Sequence, residues 1–269
     1  VQLLRRSDWH RSRPVGGPPN QDEFLNAAAV IETTIAPLSF LDELRDIELR
    51  HGRTAAQRWA PRTLDIDLLL YGDEVMETPM LTLPHPRMSF RRFVLEPAAE
   101  IAPKMLHPTI GWSIERLLLH LNMAGDRTAL LSPSAASRSR LADVLRDRFD
   151  ARMVEPPTYA TAEHHWPSSW TTWLAVHSPL GERGRIPKTP PGLPYAAAAF
   201  PKLTIAIDAV PTSQADKLRW STLVHQPGRG PTLHLKTSDP AEVATEAIAA
   251  IEAVWPDLGP PNTNRLESQ

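Results

Sequence analysis

One stretch concentrates residue types that could do chemistry together: Arg58-Trp59-Ala60-Pro61-Arg62-Thr63-Leu64-Asp65-Ile66-Asp67, followed by the apolar Leu68-Leu69-Leu70-Tyr71. In an extended segment side chains alternate, so Asp65 and Asp67 share one face while Ile66 and Leu68 share the other. Two carboxylates on one face repel each other unless a cation sits between them. Mg²⁺ sites commonly take one or two carboxylates together with substrate phosphates. Arg53, Arg58 and Arg62 lie just upstream, and guanidinium groups meet phosphate oxygens in bidentate fashion. Carboxylates for a metal beside arginines for phosphate is the equipment of phosphoryl transfer. Charge pattern alone leaves a second reading open, an exposed strand edge beside a solvated basic loop.

The elements around this stretch must position it. VQLLRRSDWH reads as a strand running into a Gly- and Pro-rich loop, and EFLNAAAVIETTI as a second strand stopped by Pro37. Phe40 to His51 has roughly helical apolar spacing, with Ser39 able to start it and Gly52 at its C-terminal end. TLDIDLLLYGDEV reads as a strand ending in a Tyr-Gly-Asp turn, and Met88 to Leu121 as two helical stretches around a Pro-rich break. A second unit begins near residue 124. RTALL reads as a strand, RLADVLRDRF as an amphipathic helix and ARMV as a short strand. The region from Pro156 to Pro201 is poorly patterned and carries Trp166, Trp170 and Trp173, which read as core or interaction surface. KLTIAIDAV has the look of a buried strand and PTLHLKT of another. DPAEVATEAIAAIEAVW reads as a helix capped by Asp239 with Pro240 in its first turn.

Composition narrows the classes. The 269 residues carry 29 Lys+Arg against 31 Asp+Glu, a net charge of -2, so nothing electrostatic points to nucleic acid or an anionic membrane. With no cysteine, disulfides, thiolate zinc sites and cysteine nucleophiles are excluded, which suits a cytoplasmic setting. No apolar run reaches the roughly 20 residues of a membrane helix. The start has no apolar signal-peptide core and no initiator Met, so the sequence reads as beginning inside a longer reading frame.

In its order of residues, the Arg58–Tyr71 string resembles the signature of the 6-hydroxymethyl-7,8-dihydropterin pyrophosphokinase family, Arg-Trp-Gly-Pro-Arg-Thr-Leu-Asp-Leu-Asp, with Ala60 for Gly and Ile66 for Leu. The resemblance extends over about residues 1–122. Phe24-Leu25-Asn26-Ala27-Ala28 is similar to the family's aromatic-Leu-Asn-Ala segment, and Ile47-Glu48 through Gly52-Arg53 to its helix end. Leu83-Pro84-His85-Pro86-Arg87 with Arg91-Arg92-Phe93-Val94-Leu95 is similar to its Pro-His-Pro-Arg run, and Glu100-Ile101-Ala102-Pro103 closes the match. Two features depart from the family. Its opening strand and Gly-Ser-Asn-Leu-Gly turn precede the point matching Val1, and the arginine loop is shorter, with Ala55 where a basic residue is common.

The resemblance implies an α+β, ferredoxin-like domain that moves diphosphate from ATP to the pterin, giving AMP and the pterin diphosphate of folate synthesis. It implies two Mg²⁺ ions held by Asp65 and Asp67, with phosphate contacts from Arg53, Arg58, Arg62, His85 and Arg91, and Thr82 beside the nucleotide. Arg53, Arg62 and Asp67 are the expected catalytic groups, Asp67 being assigned the base. Asn26 is expected to hydrogen-bond a pterin ring lying between Phe24 and Phe93. Ser12 and the Val15 backbone add polar contacts, and Trp59 helps close the site. ATP and the pterin are the expected partners, with no nucleic acid and no membrane. A non-catalytic binding or scaffold role for an incomplete domain is the competing reading.

Residues 125–269 are weighed as a degenerate P-loop kinase-like α/β domain against an unrelated α/β domain. Laid against G-x-x-x-x-G-K-[ST], the stretch Ser132 to Ser139 has Ser132 and Ser137 for the glycines and Arg138 for the lysine. A nucleoside kinase activity, making the chain bifunctional, requires Arg138 to do the work of that lysine.

Overall fold

The computed structural model describes residues 1–15, 22–52, 63–155, 167–176, 200–209, 213–224, 229–255 and 258. The chain divides into two compact units, Val1–Leu118 and Leu119–Gln269. Both mix helices with sheet, as expected.

The first unit opens with β1 (Gln2–Arg6) and β2 (His10–Ser12), which meet β4 (Ala29–Glu32) and β3 (Phe24–Asn26) in two antiparallel ribbons. EFLNAAAVIETTI is therefore two strands, not one. The chain changes partner at Ala27-Ala28, where the Ala28 amide donates to Ser7 Oγ at 2.9 Å and its carbonyl accepts from the Ser7 amide at 2.9 Å. α1 (Pro37–Arg50) starts two residues before Ser39, with proline in its first turn, where a missing N–H costs nothing, and with no side-chain cap. Gly52, at φ +88°, takes the left-handed conformation that ends the helix region. β5 (Met76–Glu77) pairs with β6 (Thr82–Leu83).

α2 (Arg92–Ile101) turns Val94, Leu95, Ala98 and Ile101 into the core with Phe40, Leu83, Met88, Phe90 and Trp112. α3 (Ile114–Met123) follows. Among the described residues the ladders of this unit are three two-stranded ribbons, not one continuous ferredoxin-like sheet.

The segment from Leu64 to Leu70 is not a strand, contrary to expectation. Its residues keep the alternation that suggested one, Asp65 and Asp67 exposed and Ile66 and Leu68 half-buried. A ladder also requires a neighbouring strand to accept the backbone's hydrogen bonds, and among the described residues none pairs with it. Individual bonds hold it instead.

The second unit is a five-stranded sheet of order β11-β10-β7-β9-β8. β7 (Arg127–Leu131), β10 (Leu203–Ile207) and β11 (Thr232–Leu235) are parallel. β9 (Thr171–Ala175) is antiparallel to β7 and to β8 (Arg152–Met153). β10 is buried along its whole length, as a central parallel strand must be. α4 (Ala135–Phe149) follows β7, and α6 (Pro240–Val254) is capped by Asp239 Oδ1 accepting from Ala241 N at 3.2 Å. These two helices pack together, and Arg148 meets Glu252 at 2.7 Å. α5 (Gln214–Val224) was not anticipated, because its apolar residues show almost no helical stripe. β9 lies in the stretch that reads as unpatterned, and its Trp173 is core, as is Trp170 just before it. Trp166 lies outside the described residues.

Candidate active site

The pair Asp65 and Asp67 is held from three sides. Glu48, buried in α1, accepts a hydrogen bond from the Ile66 amide at 2.8 Å, directly between the two aspartates. Leu69 O accepts from the His85 amide at 2.9 Å. Tyr71 Oη donates to Ile35 O at 2.7 Å. Together these bonds do what a ladder would do, fixing the backbone so that both carboxylates face outward.

The bond to Leu69 also brings His85 to the pair. Its Nε2 lies 4.0 Å from Asp67 Oδ2. Burial pushes the His85 pKa down, and Arg91 and Arg87 push it the same way. Asp67 and, more weakly, Asp65 oppose the shift. An imidazole kept neutral here donates or accepts one hydrogen bond without adding charge. His85 Nδ1 accepts from the Arg87 amide at 3.2 Å, which places the imidazole proton on Nε2, toward the carboxylates. Two acids, a histidine and two arginines thus share one small region. Among the described residues no group of three or more His, Cys, Asp or Glu side chains could hold a metal by itself. A pair of outward carboxylates still suits Mg²⁺, which keeps several waters and takes its remaining ligands from substrate phosphates.

A second cluster is built on the β2–β3 ribbon, where Ser12 stands opposite Phe24 and His10 opposite Asn26. Asn26 Nδ2 donates to Ser12 Oγ at 2.8 Å and to His10 O at 3.3 Å. Both amide hydrogens are thereby committed, and Oδ1 is the recognition group left. Phe24 is 40% exposed, and Val15 is half-buried at the end of the described segment. α2 packs against β2 and β3. At its start stand Phe93, half-buried, and Arg91, whose guanidinium lies 5.4 Å from the Phe93 ring centre. Thr82 is half-buried in β6, directly before the cis Leu83-Pro84 bond that leads into His85.

The structure thus brings together Asp65, Asp67, His85 and Arg91, and separately Ser12 and Asn26, with Phe24 in the paired strand. Arg53, Arg58, Trp59 and Arg62 lie outside the described residues. Sequence reasoning gave no role to Glu48, Arg87, His10 or Glu100. A glutamate in the last turn of a helix whose neighbours are apolar was the available signal for Glu48, since a buried carboxylate needs partners.

In the second unit, Ser134 caps α4 by accepting from Ser137 N at 3.1 Å, so Arg138 falls in the helix's first turn. Its side chain is buried and turned inward. It donates to Ser132 O, to Ser169 O at 2.8 Å and to Thr172 Oγ1 at 3.3 Å. The guanidinium is engaged by the protein's own oxygens.

Outward carboxylates on a pinned segment with a histidine and arginines, and in the same unit a ribbon presenting a fixed amide, are donor types suited to a metal with phosphates and to a small polar ring. The sequence profile of the 7,8-dihydro-6-hydroxymethylpterin-pyrophosphokinase (HPPK) family matches residues 1–103. The chain is 45% identical over 108 residues to the 2-amino-4-hydroxy-6-hydroxymethyldihydropteridine pyrophosphokinase of Haemophilus influenzae, covering 40% of this chain and 67% of the relative. It is 42% identical over 118 residues to the Synechocystis protein of the same name, covering 44% of this chain and 60% of that one. The bifunctional protein FolKE of Lactococcus lactis is 31% identical over 147 residues, which are 55% of this chain and 41% of FolKE. The chain belongs to the HPPK family. It spans 60% to 67% of the length of these two single-function relatives. Among the described residues no helix is long and apolar enough to cross a membrane.

Proposed function

We propose that the chain is a 2-amino-4-hydroxy-6-hydroxymethyldihydropteridine diphosphokinase. It transfers diphosphate from ATP to 6-hydroxymethyl-7,8-dihydropterin and releases AMP, a step of folate synthesis in the cytoplasm. The observation that carries this reading is the Asp65/Asp67 pair, pinned by Glu48 and joined by His85 at 4.0 Å, within residues that match the family.

Asp65 and Asp67 are the residues that would hold Mg²⁺, two ions in this reading. Bound Mg²⁺ neutralises the phosphate oxygens and the charge that develops on the transferring group. Arg91 and His85, with Arg53, Arg58 and Arg62 from outside the described residues, bind the phosphates and hold them in line with the attacking hydroxymethyl oxygen. Asn26 Oδ1 accepts from an N–H of the pterin, Ser12 buttresses Asn26, and Phe24 and Phe93 supply ring faces with polar support at Val15. Thr82 lies on the nucleotide side, and Trp59 shields the reaction from water. Asp67 takes the hydroxyl proton. The core of the catalytic set is Arg53, Arg62 and Asp67.

The second unit, read as residues 125–269 following a domain of residues 1–122, is a degenerate P-loop kinase-like α/β domain. Three parallel strands with a helix leaving β7 support this. The inward Arg138 favours a non-catalytic role there over a nucleoside kinase.

The test is AMP formation from ATP and Mg²⁺ with and without the pterin, in the chain and in Asp67→Ala. Pterin-dependent AMP that disappears in the variant supports the reading. A folded chain that makes none, or a variant that makes as much, overturns it.

A further inference from the structure

Glu100 stands in the last turn of α2, at the opposite end from Phe93. Its carboxylate grips the corner between β1 and β2 with both oxygens. Oε1 accepts from the Asp8 amide at 2.9 Å, and Oε2 lies 3.0 Å from His10 Nε2. The His10 side chain and then the Asp8 amide hold the Glu100 pKa below the usual carboxylate range. The other face of His10 is the link to recognition. Its carbonyl is one of the two acceptors that orient the Asn26 amide, the second being Ser12 Oγ in the same strand. One helix therefore carries an aromatic ring of the proposed pterin site at its start. At its end it carries the carboxylate that fixes the strand holding that site's amide.

We propose that Glu100 is a positioning residue for the pterin, acting through His10 on the orientation of Asn26 and not on the phosphates. This rests on the reading given under Proposed function. Of the metal and phosphate region, Asp65, Asp67 and His85 are anchored independently through Glu48 and Leu69, and Arg91 stands at the far end of α2 from Glu100. Loss of the Glu100 contacts therefore reaches one substrate and not the other. Glutamine at this position keeps an acceptor for the Asp8 amide and an amide partner for His10, so it retains the geometry without the charge.

The experiment compares the full chain with Glu100→Ala, Glu100→Gln, His10→Ala and the Glu100→Ala/His10→Ala double variant. Steady-state kinetics are measured for each substrate, and the Asn26 side-chain amide is followed by ¹⁵N NMR without substrate. In Glu100→Ala the KM for the pterin rises about fivefold, the effect of losing a modest hydrogen-bonded constraint. The KM for ATP stays unchanged, and Glu100→Gln restores the pterin value. The double variant is no worse than Glu100→Ala alone, since both remove one link. The Asn26 amide signal broadens or shifts in Glu100→Ala and in His10→Ala. An Asn26 signal and a pterin KM that match the parent in Glu100→Ala overturn the proposal, as does an equal rise in both KM values. If the parent chain makes no pterin-dependent AMP, the proposed activity fails. The Asn26 signal still decides whether Glu100 positions that amide.

Discussion

Glu48 ties α1 to the segment that carries the two aspartates. It is 2% exposed, and its Oε1 accepts from the amide that separates the two aspartates. Glu48→Ala leaves the Ile66 N–H without that acceptor in a half-buried setting and removes a buried carboxylate. Losing a hydrogen bond to a charged group costs about 2 kcal/mol, which for a unit of this size lowers Tm by roughly 10 °C. The loss reaches function as well as stability, because Asp65 and Asp67 flank the freed amide. Residues that orient metal ligands change metal affinity by about tenfold or more, so Mg²⁺-dependent binding of a non-hydrolysable ATP analogue weakens by that factor. Glu48→Gln keeps an acceptor oxygen and retains most of both properties. Calorimetric titration of the analogue, with thermal unfolding alongside, makes the comparison. If Glu48→Ala binds the analogue as the parent does and unfolds at the same temperature, the bond to Ile66 does not position the pair.

His107 makes a pH test of the same unit. Burial holds its pKa down to about 4 from an ordinary 6.5, so its contribution to stability is fully present above about pH 6.5 and is lost as pH falls toward 4. The loss amounts to about 3 kcal/mol. Urea unfolding between pH 7 and 4 measures it, and His107→Asn flattens that slope. Asn26→Ala weakens pterin binding by about tenfold through loss of its hydrogen bonds and leaves nucleotide binding unchanged, which separate titrations check. Arg138→Met strands the acceptors at Ser132 and Ser169 and destabilises the second unit by about 2 kcal/mol. Diphosphate transfer continues at the parent rate, so unfolding curves and AMP assays on one preparation check both halves.

The face shared by Asp65 and Asp67 was legible because alternation depends only on an extended backbone. The strand expected there was not found, because pairing depends on neighbours that local sequence does not specify. The break at Ala27-Ala28 carries neither Gly nor Pro, and it became visible only through the exchange of hydrogen bonds with Ser7. α5 escaped notice because its apolar residues form no stripe. The buried strand at Leu203–Ile207 announced itself by an almost continuous apolar run. In the site, ordered motifs marked Asp67, His85 and Asn26. The residues that hold them, Glu48 and Glu100, stood within those motifs with no role that spacing could assign. Laid against a P-loop pattern, Arg138 stands at the lysine position, and only its inward hydrogen bonds show what it touches.

The most direct measurement follows the fate of label from ATP carrying ³²P at the γ position, with Mg²⁺ and 6-hydroxymethyl-7,8-dihydropterin. The account predicts label in the pterin diphosphate and unlabelled AMP in equal amount, both abolished by Asp67→Ala. Label released as inorganic phosphate with ADP, or label transfer that survives Asp67→Ala, would contradict it.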